Sequence, residues 1–328
     1  MKCCRCGKES VVELRQGALC KSCFLRYFEK KVTGTVRKYK LLGKNDVLCF
    51  AMSGGKDSMA VANVLSGIAR RQRQRMFAIG IDEGVKGYRD RQLEDMKAFC
   101  EKLSIGYHIF TFEDEYGKTN EELYRMAEKK GVDISQCTLC GILRRRIMNR
   151  EARRLGATRM VVGHNLDDES QTALMNLTKG SVELMARLGP ASGASGNKGF
   201  IQRIKPLYFC TNEETALYTK LLGIKVLYAP CPHRKASFRQ YAEDIIEKME
   251  KDYPGTKTAL VQNMLRLIPM LRREFSGKSP VECAQCGEPS RNRVCKACET
   301  LGKLGIKTRA KPGTKPKAKH RTKATAKD

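Results

Sequence analysis

The chain has 328 residues, 41% of them hydrophobic, which is enough for one full catalytic domain plus smaller modules. Sixty-three Lys and Arg against thirty-five Asp and Glu leave a formal charge of +28 and predict a polyanionic partner, with nucleic acid the usual one. The absence of any run of about 18 apolar residues excludes a membrane helix, and the opening MKCCRCGKES lacks the apolar stretch of a secretory leader. The fifteen Cys fall largely into C-x-x-C pairs, which in a reducing compartment means metal rather than disulfide, so a cytosolic protein is expected.

Taken in chain order, residues 1–30 open with Cys3-x-x-Cys6, thirteen residues, then Cys20-x-x-Cys23. Four thiolates in two knuckles suit a closed tetrahedral zinc, and a segment this small cannot fold on burial alone. Cys4 is a competing thiol whose spacing fits less well. An amphipathic helix is expected over Phe24–Lys40. The body, residues 31–275, then alternates strand-like and helix-like runs. Strands are predicted at Asp46–Met52, Met76–Asp82, Tyr107–Phe112 and Arg159–His164, with helical stretches such as Tyr88–Leu103 and Ile142–Leu155 between them. That alternation predicts an α/β fold, a doubly wound parallel sheet with helices on both faces and ligands at the carboxyl ends of its strands.

Ser53-Gly54-Gly55-Lys56-Asp57-Ser58 follows the first strand and precedes a helix. Two glycines allow a tight turn whose N–H groups point at one anion, the helix dipole and two hydroxyls add to it, and Lys56 brings a full charge. This is a phosphate cradle with a spacing unlike the G-x-x-x-x-G-K loop. Ile81-Asp82-Glu83-Gly84 ends the second strand, and Gly163-His164-Asn165-Leu166-Asp167-Asp168 ends a later one. The Asp168 carboxylate there can serve a metal, a proton or a helix N-terminus.

Cys137-Thr138-Leu139-Cys140-Gly141 follows a loop and opens the basic helix, expected over Ile142–Leu155, that carries Arg144, Arg145, Arg146, Arg150, Arg153 and Arg154. Pro230-Cys231-Pro232-His233 ends the apolar run at 225–229, its prolines stiffening the backbone. Cys49 and Cys100 read as core, and Cys210 has no paired thiol. Residues 252–275 look helical. A second ribbon, residues 276–302, has Cys283-x-x-Cys286, eight residues, then Cys295-x-x-Cys298. Residues 303–328 carry ten Lys or Arg against one acid, without large apolar residues after Ile306, and a disordered basic tail is expected there.

The loop SGGKDS after a hydrophobic strand resembles the pyrophosphate loop of N-type ATP pyrophosphatases. With C-x-x-C-G before an Arg-rich helix and a lone Cys near residue 230, the chain resembles the iron–sulfur tRNA 2-thiouridine synthetases over about residues 1–300. The resemblance implies ATP binding by Ala51, Ser53, Gly54, Gly55, Lys56, Asp57, Ser58, Asp82, Gly163 and Asp168, with Lys56, Asp57 and Asp168 catalytic. It implies Mg²⁺, two Zn²⁺, and a [4Fe-4S] cluster on Cys137, Cys140 and Cys231 whose fourth iron has no protein ligand and can accept sulfide. The activity implied is tRNA sulfurtransfer: adenylation of the uridine 2-carbonyl, with pyrophosphate released, then displacement of AMP by sulfur. The partners implied are tRNA and a sulfur donor, a ubiquitin-like thiocarboxylate protein or sulfide, with no membrane; a homodimer is left open. Some relatives have a catalytic Lys where this chain has Arg144, and an always-protonated Arg cannot act as a base. Three alternatives stay open: a Cys140–Cys231 persulfide pair without a cluster, a third structural zinc on Cys137, Cys140, Cys231 and His233, and a ligase with another acceptor.

Overall fold

The computed structural model describes residues 1–14, 16–193, 199–234, 237–275 and 281–307. A hairpin, β1 (Val12–Leu14) with β2 (Gly17–Leu19), completes the first cysteine module and runs into helix α1 (Lys21–Lys38). The body follows as β3 (Leu48–Ala51), α2 (Lys56–Arg71), β4 (Met76–Asp82), α3 (Arg89–Lys102), β5 (Gly106–Thr111), α4 (Phe112–Tyr116), α5 (Asn120–Lys129) and α6 (Gln136–Arg154). Then come β6 (Arg159–Val161), α7 (Leu166–Thr178), α8 (Val182–Met185), β7 (Ala191–Ser192), β8 (Gln202–Ile204), α9 (Asn212–Leu221), α10 (Phe238–Asp252) and α11 (Thr256–Glu274). The second cysteine module holds β9 (Val281–Glu282), β10 (Pro289–Ser290) and α12 (Lys296–Lys303).

The central sheet has the order β5–β4–β3–β6–β8–β7, parallel except for the antiparallel edge strand β7. The chain winds outward from β3 through β4 to β5, then returns to the other side of β3 with β6. The crevice between the carboxyl ends of β3 and β6 is therefore the place where a doubly wound sheet takes its ligand. β3 and β4 are apolar on both faces because both are covered. On one side pack Phe24, Phe28, Met59, Leu65, Met96, Phe99 and Tyr218 from α1, α2, α3 and α9. On the other pack Phe112, Leu123, Leu139, Leu143 and Ile147 from α4, α5 and α6.

Both cysteine modules join these cores. Cys3, Leu19, Cys20 and Cys23 sit in the first, whereas Ala297 and Leu301 of α12 and Leu304 just after it sit in the second, against α6. Burial of these three side chains is worth several kcal/mol, about 25 cal/mol per Å² of apolar surface.

Three expected elements fall differently. α6 starts at Gln136 rather than near 142, because the Ser135 hydroxyl accepts from Thr138 N and caps the helix six residues earlier. Cys137 and Cys140 thus lie within the first turns of the helix itself. The helix expected over 252–275 is broken at Tyr253-Pro254-Gly255, where Gly255 has φ 104°, and resumes at Thr256. α1 begins three residues early, directly after Cys20. The basic tail lies outside the described residues from 308 onward.

Candidate functional site

Strand β3 delivers the loop 53–58 to the crevice. Gly54 has φ 79°, and a Cβ there would stand 2.1 Å from the carbonyl oxygen of Gln92, so no other residue fits. Ser53 Oγ accepts from Gly55 N at 3.2 Å and lies 3.3 Å from Ser58 Oγ, which donates to Gly55 O at 2.9 Å. α2 starts behind Gly55 with no side-chain cap, which leaves its first N–H groups to an anion. Lys56 Nζ sits 2.8 Å from both Asp57 oxygens and 2.8 Å from Asn212 Oδ1. Asp57 lies in the first turn of α2, with Gly55 in the capping position.

From the opposite side of the crevice, Gly163 presses against this loop. A Cβ on it would lie 2.8 Å from Ser58 N and 2.9 Å from the Asp57 carbonyl carbon. Asn165 caps α7 and also donates to Asp57 Oδ1 at 3.0 Å and to Asn212 Oδ1 at 2.9 Å. Asp168 reaches back to Asn165 N in a capping box and leaves its other oxygen 3.7 Å from Arg239, so it caps and faces the site at once. Burial pushes the Asp57 carboxyl up, and the charge of Asp168 adds to this, against the opposing pull of Lys56 and Asn165. Two carboxylates repelling each other beside a phosphate cradle are what a divalent cation relieves.

At the end of β4, Asp82 Oδ1 accepts from Gly84 N at 2.9 Å, and Ala51 pairs with Ile79 across the sheet. Gly84 has φ 76°, and a Cβ on it would strike Thr119 Cγ2 at 2.6 Å. Glu83, only 5% exposed, bonds Arg89 at 2.8 Å and Arg144 at 3.3 Å. Arg89 in turn donates to Ser53 O at 2.6 Å and to Ile81 O. A continuous polar chain therefore runs from the phosphate loop through Arg89 and Glu83 to Arg144, one helical turn beyond Cys140. Sequence reasoning had not singled out Glu83, Arg89, Asn165, Asn212 or Arg239. The IDEG and GHNLDD runs contain two of them, but nothing local marks their distant partners.

Cys137, Cys140 and Cys231 come together. The Cys137 thiol donates to His233 O at 3.2 Å, and each of Cys137 and Cys140 feels the charge of Cys231. Burial pushes the Cys140 thiol up to about 12, with Glu83 adding to it, while Arg144 pulls the other way. The three sulfurs are not, however, within 4.8 Å of one another, nor does His233 complete such a set. A single tetrahedral ion with Zn–S near 2.3 Å needs sulfurs about 3.8 Å apart. This weighs against a third structural zinc, whereas a cubane cluster, which spreads its protein sulfurs over separate iron corners, can take three thiols at wider spacing.

The two ribbons contrast with that site. The sulfurs of Cys3, Cys6, Cys20 and Cys23 converge within 4.8 Å, as do those of Cys283, Cys286, Cys295 and Cys298. Cys6 lies 3.4 Å from Cys20 and 3.7 Å from Cys23, and Cys286 lies 3.8 Å from Cys295, which suits one zinc in each set. Cys4 is exposed and stands apart, facing Gln16 O. Cys49, Cys100 and Cys210 are fully buried. A third converging set, Asp167, Glu213 and Glu247, already surrounds the ammonium of Lys257, 2.5 Å from Asp167 and 2.6 Å from Glu247.

Residues 26–230 match the family model described as a PP-loop domain. The chain is 32% identical to the tRNA 2-thiolation protein NcsA of Haloferax volcanii, over 92% of this chain and 98% of the relative. It is 31% identical to the tRNA-5-methyluridine(54) 2-sulfurtransferase of Pyrococcus horikoshii, over 92% and 94%. Among solved structures, the U34-tRNA thiolase NcsA from Methanococcus maripaludis with its [4Fe-4S] cluster superposes with a TM-score of 0.79 at 32% identity, covering 94% of this chain and 98% of that one.

Proposed function

Because the chain belongs to the PP-loop family of tRNA 2-thiolation proteins, we propose that it is a cytosolic tRNA sulfurtransferase that exchanges the 2-oxygen of a uridine for sulfur at the expense of ATP. The observation that supports this most is the Ser53–Arg89–Glu83–Arg144 chain, which ties a phosphate loop to the helix that carries Cys137 and Cys140.

In the first half-reaction the uridine O2 attacks the α-phosphorus of ATP, the bond to the β-phosphate oxygen breaks, and pyrophosphate leaves. The N–H groups at the start of α2, the Ser53 and Ser58 hydroxyls and Lys56 hold the β- and γ-phosphates and stabilise the departing charge. Asp57 and Asp168 are the residues that would hold Mg²⁺, which supplies further charge neutralisation on the phosphates. Asp82 and Ala51, at the ends of β4 and β3, would border the adenosine.

In the second half-reaction a sulfur nucleophile adds to C2, the C2–O bond breaks, and AMP departs with the former carbonyl oxygen. Cys137, Cys140 and Cys231 would hold a [4Fe-4S] cluster, which when bound offers one iron without a protein ligand to a sulfide taken from sulfide itself or a thiocarboxylate donor. Arg144, fixed by Glu83, stays protonated, steadies negative charge on sulfur and on the leaving phosphate, and does not act as a base. The Cys3–Cys23 and Cys283–Cys298 sets would each hold a structural zinc.

Anaerobic protein incubated with ATP, Mg²⁺, sulfide and unmodified tRNA should release pyrophosphate and yield 2-thiouridine, located by mass spectrometry of nuclease fragments. Pyrophosphate release without a thiolated nucleoside would point to a different acceptor and refute sulfur transfer.

A further inference from the structure

Of the six arginines on α6, five have carboxylate partners: Arg144 with Glu83, Arg146 and Arg150 with Glu115, Arg153 with Glu288, and Arg154 with Glu151. Arg145 has none among the described residues. It is exposed, and its guanidinium folds back over Gly141, 3.4 Å from where a Cβ would be. Arg203, the middle residue of β8, is likewise without a carboxylate partner among the described residues, and it lies within electrostatic reach of Arg145 and Arg144. Arg239, at the start of α10, meets Gln171 and Thr172 at 3.2 and 3.1 Å and reaches Asp168 only at 3.7 Å. Its charge also bears on Arg145.

Burial and the charges of Arg145 and Arg144 push the Arg203 guanidinium down to about 10, so at neutral pH it remains a cation held against repulsion. A fold that neutralises the other α6 arginines but crowds these together keeps the potential of this spot high, which is favourable only when an anion arrives.

We propose that Arg145, Arg203 and Arg239 form a binding track for the RNA sugar-phosphate backbone beside the target nucleotide, between the Cys137–Cys140 turn and Asp168. This rests on the tRNA reading above. The three arginines come from a helix, a strand and a second helix, and the nucleotide's phosphates already have Lys56 and the loop 53–58. A chain of phosphates, evenly spaced and each singly charged, matches such a row.

The test uses the full-length protein, a fluorescent tRNA transcript, and anisotropy titrations in a KCl series. Arg145→Ala/Arg203→Ala should lower the slope of log K against log salt by about 2 and weaken tRNA binding about tenfold near 0.15 M salt. ATP affinity should stay within about twofold, and Arg145→Lys/Arg203→Lys should recover most of the slope. The thermal midpoint of the nucleic-acid-free Ala variant should equal or exceed that of the wild type, since repulsion is relieved. A lower midpoint would mean structural arginines, and a loss of ATP affinity with an unchanged slope would mean a nucleotide phosphate; either overturns the proposal. A wild type with a steep slope shared by the Ala variant overturns this site alone, while a wild type that binds no tRNA overturns the parent reading as well.

Discussion

The Glu83 carboxylate, at the end of β4, holds the guanidinium of Arg144 at 3.3 Å, one turn of α6 beyond Cys140. It simultaneously neutralises Arg89, which is buried to 4% exposure. Glu83→Gln therefore strands a buried cation, and we expect a loss of about 3 kcal/mol in urea unfolding. Arg144→Ala removes the half-exposed end of the network and should cost under about 1 kcal/mol, yet slow thiolation far more than it slows pyrophosphate release. Equal slowing of both half-reactions would place Arg144 in nucleotide binding instead.

Lys56 is the one full positive charge within the loop 53–58. Lys56→Ala is expected to reduce pyrophosphate release by about 10²–10³-fold, as for removal of a preorganised charge donor. Circular dichroism should be unchanged, because the lysine's partners Asp57 and Asn212 keep their bonds to Asn165. Wild-type pyrophosphate release would take the loop out of the chemistry.

Purified without oxygen, the protein should be brown and carry about four irons. Replacing Cys137, Cys140 or Cys231 by Ala should bleach it, whereas Cys210→Ala, a fully buried thiol apart from the site, should keep both colour and iron. Zinc should remain in every case. A colourless, iron-free and active preparation would favour a Cys140–Cys231 persulfide route.

Burial opposes the charge on Glu115, but hydrogen bonds and charge from Arg150 and Arg146 outweigh it and hold the carboxyl below the ordinary glutamate range. A depressed pKa contributes stability that is complete above the unfolded value, near 4.3, and is lost as pH falls through the folded one. Urea midpoints of wild type and Glu115→Gln should thus differ at pH 7 and converge below about pH 4. Curves that stay parallel across that window would show that the triad does not contribute in this way.

The C-terminal ribbon is bound to the body: α12 shares a core with α6, and Glu288 bonds Arg153 at 2.5 Å and Asn149 at 3.4 Å. Stripping zinc from Cys283–Cys298, or Cys298→Ser, should lower the melting temperature of the whole protein in one calorimetric transition. Affinities for ATP and for tRNA should fall together. Two separate transitions would mean an autonomous ribbon.

Much of this was legible in the sequence because it is local. The strand–loop–helix at Ser53–Ser58 and the four C-x-x-C knuckles of the ribbons depend on spacing along the chain, and β4 appears with the predicted ends. The misjudged start of α6 has an equally local cause, a Ser cap whose strength relative to the flanking loop is hard to weigh. What stayed hidden is long-range: Asn212 meeting Lys56, Glu83 meeting Arg144, Asp168 meeting Arg239. Each joins residues brought together only by the winding of the sheet, and none has a periodic signature.

Helix α6 carries its cargo on one rigid rod: two of the three clustered thiols, the arginine one turn later, the track residue Arg145, and farther on Asn149 and Arg153, which hold Glu288 of the ribbon. An insertion of one residue after Cys140 would turn everything beyond it by about 100° and advance it by about 1.5 Å, swinging Arg144 away from Glu83 and Arg153 away from Glu288 in a single event. A point substitution here removes one contact at a time, whereas a change of length removes them together. Descendants of this chain should therefore keep the number of residues in this stretch fixed, even where single surface positions on it change.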